Sequence, residues 1–223
     1  MQDFTIKRTV AGTTSSVYLL SGSANGGYTF HDMFIDGNGL AGSGVQNRFI
    51  SGKNSDAYNM VVWDFTGTDG TGFKVSALTG SGFIVSNITA YNCDHNFNLN
   101  NKIIPINNIS SLSGISECYQ NLTGTVGNNC ISTDATIPAS GSDNHISVTI
   151  GDEVVSTDDT NGTDFMFPKA SGNMDNGGNT THESATGMKG TTWAASSPSI
   201  GAFQIVSAST AFTFYYYNLL MAG

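Results

Sequence analysis

Basic residues are scarce in this chain. Its 223 residues include 8 Lys and Arg against 17 Asp and Glu, which gives a formal net charge of −9. A surface that binds nucleic acid needs a basic stripe to neutralise phosphates, and a protein that docks on anionic lipid needs basic residues too. The charge balance therefore argues against nucleic acid and membrane surfaces as partners.

Paired cysteines, a secretion signal and a long apolar run are also missing. The three cysteines, Cys93, Cys118 and Cys130, show no C-x-x-C or zinc spacing, so we interpret them as small buried hydrophobes. The opening stretch MQDFTIKRTV lacks the apolar core of a conventional secretion signal. The apolar C-terminal stretch AFTFYYYNLLMAG is far shorter than the roughly 20 residues that span a bilayer as a helix. We predict neither a signal nor a transmembrane segment.

Short apolar runs bounded by turn residues dominate the rest of the chain. Only 11% of the residues are charged, but 39% are hydrophobic and 13 are Phe, which argues against disorder. Runs such as YNMVVWDF, GFIVSNITAY and KIIPINNIS are rich in β-branched and aromatic residues and lie between Gly, Asn, Asp and Ser clusters. No window keeps a helical apolar stripe. The sequence predicts a single all-β domain.

A polar residue recurs within these runs. When MVVWDFTG, FIVSNITA and IPINNISS are aligned, Asp64, Asn87 and Asn108 coincide at spacings of 23 and 21 residues, and Asp36 joins them 28 residues before Asp64. Apolar residues stand two positions before each of them. A parallel β-helix shows this pattern, because each coil buries its apolar face only by stacking on the next. We expect Asp36, Asp64, Asn87 and Asn108 to form a corner ladder whose side chains bond the backbone and one another.

Several segments together resemble a known family. They are DFTIKRTV, GSGVQNRFISGKNSDAYN, VSNITAYNCDHNFN, NNCISTDAT, TDFMFPKASGNMDNGG and SPSIGAFQ. The chain resembles the pectate-lyase-like right-handed parallel β-helix proteins, above all those encoded by phages. The resemblance implies a single-stranded right-handed parallel β-helix over residues 28–206, an N-terminal cap over 1–27, and a closing strand with Ile200 and Phe203 sealing the stack. Unlike the family, the chain has mainly small and neutral residues before that strand.

Enzymes of this fold cleave acidic polysaccharides, so carboxylates are the groups from which a catalytic site would be built. Asp residues at corners and turns have structural roles, and lone histidines are expected in solvated turns. The acidic loop Ser156–Asp164 lacks EF-hand ligand spacing. We therefore predict no catalytic residue, metal or cofactor. The groups that could otherwise serve in catalysis are Asp32 and Asp36 with His31, Asp64 and Asp69 near Lys74, and Asp94 beside His95.

The C-terminal extension, residues 207–223, carries too much apolar area to leave in water. Either it caps the open end of the stack or it contacts another chain, and the two roles are compatible. The residues expected to bind a partner are Phe212, Phe214, Tyr215, Tyr216, Tyr217, Leu219, Leu220 and Met221.

These features predict a non-enzymatic virion protein on the phage particle surface, an accessory head protein that acts as a capsid decoration or short fibre. Its expected partners are the major capsid protein or a neighbouring accessory protein. Trimers are common among phage β-helices, and the sequence leaves the oligomeric state open, as it does binding to a host surface glycan. The alternative is a small, tailspike-like polysaccharide lyase or glycoside hydrolase.

Overall fold

Parallel β-strands form most of the regular structure. The computed structural model describes residues 4–7, 18–21, 29–40, 42–48, 56–76, 85–101, 104–160, 164–180 and 185–205. Within these ranges the strands are β1 (Phe4–Lys7), β2 (Tyr18–Ser21), β3 (Thr29–Asp36), β4 (Ser43–Arg48), β5 (Asp56–Trp63), β6 (Thr71–Ser76), β7 (Val85–Tyr91), β8 (His95–Asn98), β9 (Pro105–Asn107), β10 (Ser110–Leu112), β11 (Glu117–Gln120), β12 (Val126–Asn128) and β13 (Ile131–Ser132). A one-turn helix α1 (Ile150–Glu153) and a 3₁₀ turn (Met188–Gly190) follow.

The strands belong to two sheets, and their pairs are parallel. In the first sheet the path runs β1-β3-β5-β7-β10-β13, with β9 and β12 paired beside it, and in the second it runs β2-β4-β6-β8-β11. Up to β8 the chain alternates between the sheets, and each strand pairs with the next strand of the same sheet. After β8, two consecutive strands, β9 and β10, belong to the first sheet, as do β12 and β13, and β9 pairs with β12 while β10 pairs with β13. The all-β prediction is confirmed, and the sheets are parallel as expected.

Like residues lie beside like in the core between the sheets. Phe73 of β6 pairs with Phe97 of β8, which pairs with Tyr119 of β11. The ring centroids are 6.0 Å apart for the first pair and 5.3 Å for the second. All three side chains are buried. Burying such a ring removes 150–250 Å² of surface from water, about the largest contribution that one side chain can make.

The first sheet is buried on both faces. In β5, Met60 and Val62 belong to the core between the sheets, whereas Val61 and Trp63 belong to a second apolar cluster on the outer face. This explains the continuous run MVVW, because a strand covered on both sides needs no polar alternation. The outer cluster is completed by residues 148–203, which we call the cover. In the described part of the cover there is no regular strand.

The predicted closing strand is wrong. Ile200 and Phe203 are buried, but the chain turns here, with Gly201 at φ +91°. The Gly201 amide donates to the Asn108 carbonyl at 2.9 Å and the Ala202 amide to the Thr89 hydroxyl at 3.1 Å, so the segment crosses the sheet and does not join a ladder. The Phe203 ring centroid lies 6.0 Å from that of Phe34 on the outer face. These residues seal the side of the sheet.

Strand pairing also extends outside the predicted limits. Strand β1 lies within the expected N-terminal cap of residues 1–27, yet it pairs with β3 in register. Among the described residues the last regular strand ends at Ser132, well before residue 206. In the described part of the chain after that point, isolated bridges continue the stacking, such as Ile131 with His145. None of the described helices has the length and apolar character needed to cross a membrane.

Candidate functional site

Residues in the left-handed conformation form a column across the first sheet. The strand register places Asn87 level with Asn59 in one direction and with Asn108 in the other. Asn and Asp tolerate this conformation better than most residues because their short side chains bond locally. Each residue bends its strand, and at Asn108 the bend separates β9 from β10. The column consists of Asp32, Asn59, Asn87, Asn108 and Asn129, with φ between 50° and 54°.

The predicted ladder joined residues of different columns. Asn87 and Asn108 share this column, but Asp36 and Asp64 do not. Asp64, at φ 60°, is level with Asn92 in a second column at the end of the strands, and Asp36 pairs with Trp63 one position earlier. The prediction failed because the spacing between equivalent residues of neighbouring strands varies: it is 28 residues for Asp64 and Asn92 but 21 residues for Asn107 and Asn128.

The Asn59 amide donates to the Asp32 carboxylate at 3.1 Å, a bond of the kind expected for the ladder, but later residues of the column bond the cover. The Asn108 amide donates to the Asn179 carbonyl at 3.0 Å, and its oxygen accepts from the Asn179 backbone N–H at 2.8 Å. Asn129 donates to the Gly177 carbonyl at 2.8 Å. These side chains therefore hold the cover. At Asn87 both side-chain amide atoms are buried and have no hydrogen-bond partner among the described residues.

Three carboxylates converge where the strands of the first sheet end. Asp36 is the last residue of β3, Asp64 follows β5, and Asp159 comes from the cover. One oxygen from each lies within 4.8 Å of the others. Lys7 pairs with Asp36 in register, and its ammonium is 2.9 Å from that carboxylate. We call Lys7, Asp36, Asp64 and Asp159 the acidic cluster.

The environment changes the proton affinity of two groups in the acidic cluster. Burial raises the pKa of Asp64, and the charges of Asp36 and Asp159 add to that rise, while the Asn92 amide, which donates at 2.7 Å, opposes it. The hydrogen bond to Asp36 raises the pKa of Lys7. The Asp36 side chain is only 4% exposed, but the Lys7 side chain is 51% exposed. The cluster thus keeps one cation paired with the most buried carboxylate.

Asp159 was not predicted as a site residue, because its 95-residue separation from Asp64 leaves no local sequence signal. The loop around it, Ser156–Asp164, was expected to be solvated, and Asp158 and Asp159 are exposed. Hydrogen bonds from the Thr160 side chain and backbone hold the pKa of Asp158 below its usual value. Asp159 itself accepts a bond from the Trp63 indole at 3.4 Å.

The remaining candidates separate into two places. His31 Nδ1 donates to the Asp32 carboxylate at 2.8 Å, and the His31 ring stacks on Tyr58 with ring centroids 5.0 Å apart. Asp69 lies beside Asp94 and His95, away from Asp64. The prediction of a solvated turn is wrong for both histidines, because His95 begins β8 and is buried, and His31 lies within β3 and is half-buried. The cysteines Cys93, Cys118 and Cys130 are buried and unpaired.

The tail residues Phe212, Phe214, Tyr215, Tyr216, Tyr217, Leu219, Leu220 and Met221 lie outside the described residues. No protein-family model, curated protein or solved structure matches this chain.

Proposed function

We propose that this protein is a non-enzymatic structural component of a phage particle, an accessory head protein built as a short right-handed parallel β-helix. The alternation of the chain between two parallel sheets, with aromatic residues stacked from coil to coil, supports the solenoid. The resemblance to phage-encoded β-helix proteins supports the proposed location on a phage particle. Parallel stacking gives a stiff body in which each coil supports its neighbours.

The observation that carries the proposal is the cover. Residues of the cover pack on the outer face of the first sheet, where Trp63 meets Phe165 with ring centroids 5.0 Å apart and Phe203 meets Phe34. A polymer-cleaving site on this face would need open sheet surface for several sugar units. Here the chain's own apolar side chains occupy that surface, which favours a structural role.

Attachment is assigned in this proposal to the apolar extension, residues 207–223, with the major capsid protein or a neighbouring accessory protein as partner. Its Phe, Tyr, Leu and Met residues are types enriched in interface cores. A homotrimer is compatible with this arrangement, as is binding of a host surface glycan.

The test is the protein content of virus particles. We expect particles purified from a phage that encodes this chain to contain it at a fixed ratio to the major capsid protein, with antibody labelling on the head. Particles carrying a chain that lacks residues 211–223 should lose this label, while the truncated chain remains folded by circular dichroism. Absence of the full chain from purified particles would refute the virion role, and full occupancy by the truncated chain would refute the anchor.

A polysaccharide lyase or glycoside hydrolase is the second candidate, favoured by the acidic cluster. A carboxyl whose pKa is raised by burial beside an ionised carboxylate is the arrangement that glycosidases use. One oxygen of Asp36 and one of Asp64 lie within 4.8 Å of each other. The two catalytic carboxyl groups of retaining glycosidases are a similar distance apart, about 5–5.5 Å. Release of reducing ends or unsaturated sugars from acidic polysaccharides, abolished by Asp64→Asn and kept by Asp158→Asn, would establish this activity in place of the structural role.

A further inference from the structure

A second group of titratable side chains lies at the start of the second-sheet strands. Asp69 stands just before β6, Asp94 stands just before β8 in the next coil, and His95 is the first residue of β8 and pairs with Thr71 in register. One ligand atom from each of Asp69, Asp94 and His95 lies within 4.8 Å of the others. Stacking of two coils therefore brings together three groups that bind metals in other proteins.

The His95 ring holds a buried nitrogen without a partner. The residue is 8% exposed, and its Nδ1 atom has no hydrogen-bond partner among the described residues. Nδ1 lies 3.5 Å from Asp94 Oδ2, too far for a good hydrogen bond. Two ligands bound about 2.1 Å from one zinc ion at the tetrahedral angle lie about 3.4 Å apart. The separation of these two atoms matches that of two ligands on one metal ion.

The carboxylate of Asp94 is held in place. Its Oδ1 accepts from the Ser116 hydroxyl at 2.5 Å, and its Oδ2 accepts from the Asp69 backbone N–H at 2.7 Å. These donors orient the group while each oxygen keeps a second lone pair. Asp69 is exposed, so its carboxylate can turn towards an ion and water can complete the coordination.

We infer that Asp69, Asp94 and His95 form a site for a first-row divalent metal ion of the zinc type. One imidazole and two carboxylates suit zinc and its neighbours, whereas calcium and magnesium prefer oxygen ligands alone. The bound ion would join two successive coils where strands β6 and β8 of the second sheet begin. This site is separate from the acidic cluster and does not depend on the proposed virion role.

The other ring nitrogen connects the site to a polar chain. His95 Nε2 lies 2.9 Å from Gln120 Nε2, and Gln120 Oε1 accepts from Asn98 at 2.6 Å. Without metal, Gln120 donates to Nε2 and the ring proton is on Nδ1. Metal on Nδ1 displaces that proton to solvent, and Nε2 takes up one proton from solvent, so the ring stays neutral and Nε2–H donates to Gln120 after the Gln120 amide rotates. Binding therefore changes the histidine tautomer, which nitrogen NMR detects directly.

Zinc titration of the purified full chain tests the site. We expect one zinc ion per chain by calorimetry, affinity about 100-fold weaker in His95→Gln and in Asp94→Asn, and no displacement by equal calcium. Zinc at 100-fold excess over its Kd should raise the Tm by about 5–10 °C. Gln120→Glu should bind about tenfold more tightly, because a carboxylate accepts a hydrogen bond from His95 Nε2–H without rotating.

Two further variants keep the test decisive. His31→Gln removes a histidine whose Nδ1 also faces an Asp, at 2.8 Å, and should leave zinc affinity unchanged. Asp69→Asn changes an exposed side chain, so it reports on the site if His95→Gln does not fold. The inference is overturned by the absence of zinc binding, by equal affinity in Asp69→Asn and the original chain, by equally tight calcium binding, or by an unchanged His95 nitrogen spectrum on loading.

Discussion

The two halves of the described chain are built on different principles. In the described residues up to Ser132, parallel strands place similar side chains beside one another, and left-handed Asn or Asp residues bend the strands. From Thr133 onward the chain has short bridges, single turns and specific side-chain bonds. One of these is at Glu153, which is fully buried and accepts from the Met174 backbone N–H at 2.9 Å. The repeated strands leave an apolar outer face on the first sheet, and the irregular segment that follows them covers this face.

The largest effect is expected in the repeated half, at Phe97. Its ring is fully buried between Phe73 and Tyr119, so Phe97→Ala should lower the free energy of unfolding by about 4 kcal/mol, measured by urea denaturation. Phe97→Leu keeps most of the volume and should cost about 1.5 kcal/mol. Equal losses for the two variants would mean that the aromatic stack is not continuous.

The cover should respond almost as strongly at Phe203. Removing this ring leaves a cavity against Phe34 and Phe167, whose ring centroids are 6.0 and 5.6 Å away, and Phe203→Ala should cost about 3 kcal/mol by the same measurement. Ile146→Ala is the control, because Ile146 is 53% exposed and should change stability by about 0.5 kcal/mol or less. A single unfolding transition in Phe203→Ala is expected. An early separate transition would show that the cover and the sheets are independent units.

A smaller difference separates two positions of the left-handed column. Asn108 bonds the cover through both of its amide atoms, whereas Asn87 has two buried amide atoms without partners. Asn108→Gly should therefore lower stability by about 2 kcal/mol, and Asn87→Gly should cost about 1 kcal/mol less, because it also removes unsatisfied polar groups. Chemical denaturation of both variants measures this. If Asn87→Gly is the more damaging change, Asn87 is hydrogen-bonded.

The smallest expected effect is the pH dependence at Asp64. Its raised pKa means that the folded state holds the proton more tightly than the unfolded state. The stability that Asp64 contributes is therefore full below the ordinary value of 3.8 and is lost as the pH rises through the folded pKa. Asp64→Asn should be more stable than the original chain at pH 7, by about 0.5 kcal/mol after allowance for partial exposure.

That advantage should shrink as the pH falls towards 3.8, because the original carboxyl then becomes neutral in both states. The Asn92 bond survives, since the new side chain still has an accepting oxygen. Urea denaturation of both proteins across this range checks the trend. An advantage that grows at low pH would mean that the pKa of Asp64 is lowered by its neighbours.

The features that could be predicted from the sequence depend on local composition or on a regular spacing between equivalent residues. The strand-rich class and the shared column of Asn87 and Asn108 follow from local composition and from a regular 21-residue coil. Asp36 and Asp64 were assigned to the wrong column because the earlier coils are 27 or 28 residues long. The cover, the convergence of Asp159 on Asp64 and the burial of His95 depend on contacts between distant residues, which leave no periodic signal.

The most direct test of this account is a nuclear Overhauser measurement on the isotope-labelled full chain. We expect cross-peaks between the rings of Phe203 and Phe34. We also expect the backbone cross-peaks of parallel strands where Met60 of β5 pairs with Ile88 of β7. Antiparallel backbone contacts, or a Phe203 ring without contacts to the first sheet, would contradict the stacked and covered architecture.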